Sequence, residues 1–312
     1  SRGLGDVYKR QTYTLTVDTN AVPAGKIIRC WLPYPRQDQA RQQDVKFISA
    51  SEPQYTFSSP ECRHSTLYME KRAVEGEPTV FSETFEFTAN GEWHNLKPED
   101  VQPYDTTTAL YKEYTAEREK HIVFSPRLRE LAAKLTAGET NPYLKAKRIF
   151  RWVNDNFPWA SAREYSTIEN IPEYVLDNRH GDCGQVSLLF ITLCRISGIP
   201  AHFQSGFMMH PRAWNLHDWA EVYFEGVGWV PVDQSFGIPA FARNADEEYF
   251  FLGGIDSWRM IVNTDYGMPL QPEKQYPRSE TVDFQRGEVE WEGGNLYFPQ
   301  WDYHMDIDYL NY

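Results

Sequence analysis

The chain has 312 residues, 41% of them apolar and 15% aromatic, with a formal net charge of −13 and a pI of about 5.1. This suffices for one large core or two modest ones and argues against disorder. The acidic balance disfavours nucleic acid and anionic membrane as partners, and no run approaches the roughly 20 apolar residues of a membrane span.

Ser1–Gln11 (SRGLGDVYKRQ) reads as a translated library adapter. It is set aside from the fold reading, with the native N-terminus expected to be missing. Residues 12–105 read as an N-terminal β domain. Tyr13, Leu15 and Val17 alternate with polar residues, as do Phe81, Phe85 and Phe87. Period-two runs between Pro, Gly, Asn and Asp predict half-buried antiparallel strands in a sandwich-like arrangement.

Residues 106–245 change character. Ser125-Pro126 is an N-cap and first-turn pair, followed by Leu128, Leu131, Ala132 and Leu135 at helical spacing and by Gly138 as the stop. Asn141-Pro142 opens a second helix with Ala146, Ile149, Phe150, Val153 and Phe157 on one face. A third helix is expected from Gly184 to Ser197, closed by Gly198 and Pro200. Strands then follow at 201–206, 219–224 and 229–232, the last two joined by a turn at Glu225–Gly228. Residues 246–312 hold no convincing helix and are expected to add strands and irregular segments that close back on an earlier sheet.

The four cysteines show no CxxC pair, so a zinc site is not expected. Cys30 and Cys62 read as ordinary thiols, with a disulfide between them as the alternative. Cys194 lies in the apolar stripe of the third helix and reads as core. His202, His210 and His217 fit no common metal-ligand spacing, and no metal or organic cofactor is implied.

Cys183 sits just ahead of the third helix, in Gly181-Asp182-Cys183-Gly184-Gln185. A helix N-terminus presents free N–H groups and partial positive charge, which favour a thiolate nucleophile. Downstream, His217 opens one hairpin strand and Asp233 ends the other. Folding at Glu225–Gly228 places the partner of His217 within about three residues of Asp233, close enough for a cross-strand hydrogen bond. A carboxylate on one imidazole nitrogen leaves the other to face a thiol. Cys183, His217 and Asp233 are therefore read as nucleophile, base and orienting carboxylate.

These elements resemble the transglutaminase-like superfamily, with its papain-like Cys-His-Asp fold, in a bacterial member. The resemblance runs through Gly181-Asp182-Cys183, Arg195-Ile196-Ser197-Gly198-Ile199-Pro200-Ala201, His217-Asp218-Trp219-Ala220-Glu221-Val222 and Gly228-Trp229-Val230-Pro231-Val232-Asp233. It implies an α+β architecture: an antiparallel β-sandwich-like domain, then a papain-like core with a helix-borne cysteine and an antiparallel sheet. It also implies an oxyanion donor at Trp159, with Gln185 as the rival. Trp214 and Asn215, on the loop before His217, are expected to line the cleft, whereas Trp219 and Glu221 are expected to pack and support the strand. The implied activity is cysteine-dependent hydrolysis of a protein or peptide amide through a thioester. The alternatives are acyl transfer to an amine, as in a protein-glutamine transglutaminase, and a non-catalytic module that binds protein or glycan. Family habit points to an exported protein, periplasmic or a surface lipoprotein.

Overall fold

The computed structural model describes residues 5–161 and 163–311, and the chain divides into two units. The first comprises 1–90, 205–216 and 257–312; the second comprises 91–204 and 217–256. Residues 257–312 thus share a unit with the N-terminal strands. Among the described residues no helix is long and apolar enough to cross a membrane.

The first unit holds two antiparallel sheets. One runs in the order Trp301–Tyr309, Val7–Val17, Thr79–Ala89 and Gln42–Ala50; the other runs Gly294–Leu296, Glu288–Trp291, Ile27–Pro33, Thr66–Arg72 and Thr56–Phe57. Alternation decides their inner faces. Tyr13, Leu15, Phe81, Phe85 and Phe87 from the first sheet meet Ile28, Cys30, Leu32, Leu67 and Met69 from the second in one apolar cluster. The β-sandwich expectation is met.

The first strand reaches back through Val7–Gln11, part of the segment set aside as adapter-like; residues 1–4 of that segment lie outside the described residues. On its buried face, Lys9 and Gln11 occupy positions where the same strand later carries Tyr13, Leu15 and Val17. The C-terminal strands complete the sandwich, because Trp301–Tyr309 pairs with Val7–Val17 and Glu288–Trp291 pairs with Ile27–Pro33. Buried Glu288 accepts from Lys274 Nζ at 3.1 Å, Arg278 Nε at 3.1 Å and the Ser279 N–H at 2.8 Å, which ties the preceding irregular segment to its strand.

In the second unit the Cys183–Ile196 helix is buried from Gly184 to Arg195. Helices Pro126–Leu135, Pro142–Asn156 and Ile171–Asn178 pack around it. Ser125 and Asn141 cap the first two as expected: Ser125 Oγ accepts from the Leu128 N–H, and Asn141 Oδ1 from the N–H groups of Tyr143 and Leu144. Sequence reading missed the short Ala109–Tyr114 and Ile171–Asn178 helices and the single turn Ala245–Glu248. Eight residues or fewer give too little periodicity to see, although Asn170 before Ile171-Pro172 was a readable cap.

Arg195 explains the Arg-x-x-Gly-Ile-Pro-Ala motif. Its guanidinium is buried and donates to the carbonyls of Ala201 at 2.8 Å and Ala116 at 3.0 Å, and Gly198 turns the chain at φ +78°. These contacts fix where the following strand, Ala201–Met208, begins.

The N-terminus of Ile171–Asn178 depends on a histidine. The Ile171 N–H donates to Nδ1 of buried His121 at 3.0 Å. Burial, then the charges of Lys120 and Arg118, push this imidazole down to about 4. The folded state therefore keeps it neutral while an unfolded imidazole charges below about pH 6.5. Its contribution to stability is whole above that pH and is lost as pH falls toward 4. Between pH 7 and pH 4, His121→Gln is expected to lose up to about 3 kcal/mol less stability than the wild type, as read by urea unfolding at each pH.

Candidate active site

Cys183 is the first residue of its helix, half-buried, with Asp182 as the N-cap. Asp182 Oδ1 accepts from the Gln185 N–H at 3.1 Å, and Gln185 Oε1 accepts from the Asp182 N–H at 3.2 Å. This reciprocal box satisfies two otherwise free donors and holds the thiol at the positive end of the helix. Gln185 itself is fully buried.

The hairpin has the expected geometry. Gly228 lies opposite Phe224 and Val232 opposite Ala220, in antiparallel register. Asp233 follows directly, anchored by its N–H to the Phe251 carbonyl at 2.9 Å. His217 Nε2 lies 2.8 Å from Asp233 Oδ2, both groups buried. The other carboxylate oxygen, Oδ1, accepts from the Phe236 N–H at 2.9 Å. A neutral imidazole that donates from Nε2 to Asp233 carries its lone pair on Nδ1. The Phe236 ring covers His217, centroid to centroid 4.8 Å.

Side chains around the hairpin form a buried network. Trp219 Nε1 donates to Gln204 Oε1 at 2.7 Å, Gln204 Nε2 donates to Glu221 Oε1 at 3.1 Å, and Glu221 lies 3.2 Å from His202 Nε2. Trp229 packs edge-on to His202, centroids 4.6 Å apart. This buried network holds the strand that carries His217.

Trp159 is brought to the start of the cysteine helix. The Gly181 N–H donates to the Pro158 carbonyl at 3.4 Å and the Ala160 N–H to the Gly181 carbonyl at 3.3 Å, which clamps Trp159 beside Gly181. Its side chain is 63% exposed. Trp214 and Asn215 belong to the first unit: Trp214 packs on that unit's apolar cluster, and Asn215 is exposed.

Sequence reasoning overlooked two residues that touch this centre. Asp218 Oδ2 accepts from the Cys183 thiol at 3.5 Å and lies 3.4 Å from the Tyr165 hydroxyl. Tyr165 donates to Asp182 Oδ1 at 2.5 Å. Both crowd Gly184, where an added Cβ would lie 2.5 Å from Asp218 Oδ2 and 2.5 Å from the Tyr165 hydroxyl oxygen. Glycine is thus required at that position by what packs on it. Nothing in the sequence flagged Tyr165, which sits in a short irregular stretch. Asp218, next to the base, was passed over as an ordinary strand residue.

All four cysteines are free thiols, with Cys30 and Cys194 buried. Burial pushes both of those thiols well above the ordinary range.

Residues 129–234 match the model of the Transglutaminase-like superfamily. A solved structure of a candidate cysteine protease from Cytophaga hutchinsonii superposes with a TM-score of 0.62 at 16% identity, covering 99% of this chain and 92% of that one, so the two share a fold. Uncharacterised protein YebA of Bacillus subtilis is 27% identical over 140 aligned residues, 38% of this chain and 19% of that protein. A protein-glutamine gamma-glutamyltransferase of Pseudomonas aeruginosa is 23% identical over 125, 36% of this chain and 19% of that enzyme. The chain thus spans about a fifth of the length of either relative.

Proposed function

We propose that this chain, whose residues 129–234 match the model of the transglutaminase-like superfamily, is a cysteine-dependent hydrolase that cleaves a peptide or isopeptide-like amide through a thioester. The observation that carries this reading is the buried 2.8 Å bond from His217 Nε2 to Asp233 Oδ2, on the unit that also holds Cys183 at a helix start. In this reading the Cys183 proton passes to His217 Nδ1 as Sγ attacks the carbonyl carbon. The imidazolium, held by Asp233, then gives that proton to the leaving amine, and water releases the acid in a second round. The Cys183 N–H and the exposed indole of Trp159 are assigned to the oxyanion. Buried Gln185 is assigned to bracing the helix start rather than to substrate. No metal or organic cofactor enters this chemistry. In the same reading the protein works outside the cytoplasm, in the periplasm or at the cell surface.

Transfer to an amine is the second reading, favoured by the likeness to the Pseudomonas transferase. Incubation with a peptide mixture, with and without cadaverine, separates the two. Hydrolysis predicts new carboxyl termini or deamidated side chains in both samples. Amine incorporation without either product overturns the hydrolase in favour of the transferase. Binding of peptide or glycan with no chemical change supports the non-catalytic module.

Asp233→Asn is expected to lower turnover by about 10³–10⁴-fold, since the imidazole loses its orientation and charge partner while thiol and ring remain. Steady-state kinetics on the same substrate check this, and wild-type turnover in the variant reduces Asp233 to a structural role.

A further inference from the structure

Taking Cys183 and His217 as nucleophile and base, the geometry points to Asp218 as a fourth catalytic group, one that holds the nucleophile as a thiol at rest and drives the charge off sulfur during attack. Three observations carry it. Asp218 Oδ2 accepts from the Cys183 thiol at 3.5 Å. The carboxyl is buried, 1% exposed, where an ionised carboxylate acts at low dielectric. Gly184 leaves just the space that lets this carboxyl and Tyr165 approach the first turn of the helix.

Among the titratable groups near Asp218 are Cys183 at the helix start and Tyr165 on the 165–167 turn, which contact it, Asp182, which Tyr165 also contacts, and His217 beside it on its own strand. The Tyr165 hydroxyl oxygen lies nearer Asp182 Oδ1, at 2.5 Å, than Asp218 Oδ2, at 3.4 Å. Two carboxyls thus share one hydroxyl next to the nucleophile. A thiolate at Cys183 gives up its hydrogen bond to Asp218 and sets a second negative charge against it, which opposes the lowering by helix and imidazole. The thiolate that does form is more basic and more nucleophilic. When Sγ bonds to the carbonyl carbon, its proton goes to His217 Nδ1 and the negative charge moves to the substrate oxygen, away from Asp218. The repulsion exists before attack and is relieved by it, which favours the transition state over the ground state.

The test is the pH dependence of Cys183 alkylation by iodoacetamide, followed by peptide mass spectrometry, with Cys30 and Cys194 as buried controls. The wild type is compared with Asp218→Asn, Tyr165→Phe and His217→Ala. Asp218→Asn is expected to lower the Cys183 midpoint by on the order of one pH unit. Tyr165→Phe is expected to raise it, because the hydroxyl proton no longer offsets the two carboxyls. Opposite signs for the two variants support Asp218 as a charge-setting group. A midpoint unchanged or raised in Asp218→Asn overturns it. If that variant does not fold, Tyr165→Phe decides alone, and a lowered or unmoved midpoint there overturns the inference. His217→Ala reports separately on the base: wild-type alkylation in that variant sinks the acyl-transfer reading and leaves the Asp218 shift measurable.

Discussion

Replacing Cys183 with alanine lowers turnover by at least about 10⁴-fold, because no other group at the helix start can form the thioester. The loss falls on chemistry and not on the fold. Cys183 is half-buried at the first helical position, where alanine is the best helix former, and the Asp182–Gln185 box that fixes the helix start uses no atom of its side chain. The thermal midpoint is therefore expected to move by less than about 3 °C, the equivalent of roughly 1 kcal/mol in a chain of this size. Paired kinetics and thermal unfolding check both halves. Retained turnover rejects the nucleophile, and a collapsed midpoint shows that the side chain is structural.

Glu83→Leu is expected to stabilise the protein at neutral pH. Glu83 lies on the inward face of the Thr79–Ala89 strand, between Phe81 and Phe85, opposite Tyr13. It is 1% exposed, and neither carboxyl oxygen finds a hydrogen-bond partner among the described residues. Burial pushes its carboxyl well above the ordinary carboxylate range. The folded state keeps the proton while the unfolded chain releases it above about pH 4.3. This group therefore costs no ionisation energy in acid and destabilises progressively as pH rises through that value. Leucine removes both the pH-dependent cost and the unpaired polar group. The expected gain at pH 7 is about 1–3 kcal/mol, shrinking below pH 4. Urea unfolding at the two pH values measures it. A loss of stability at pH 7 would show that Glu83 has a partner worth more than its burial.

What could be read from sequence was whatever repeats or punctuates. The strand alternation at Tyr13–Val17 and Phe81–Phe87, the Ser125 and Asn141 caps and the Glu225–Gly228 turn each carry a local signal, and each forms the expected element. The bond from His217 to Asp233 follows from hairpin register, which is also local. Long-range closure was harder. The pairing of Trp301–Tyr309 with Val7–Val17 joins the two ends of the chain, and only its outcome, a return to an earlier sheet, could be anticipated. Tyr165 and Asp218 come to the thiol from two separate elements with no shared spacing, so periodicity was blind to them. Gly184 was the one trace they left: its need for glycine is set by those two side chains.

The most direct test of the central claim is acylation by an activated acetyl ester, p-nitrophenyl acetate, with the modified cysteine located by peptide mass spectrometry after rapid acid quench. Cys183 as a His217-activated nucleophile predicts one acetyl group on Cys183, little on Cys30, Cys62 or Cys194, a burst of nitrophenol release and loss of both signals in His217→Ala. Acetylation shared evenly between Cys183 and Cys62, or unchanged at Cys183 without His217, would contradict a cysteine acyl-transfer enzyme.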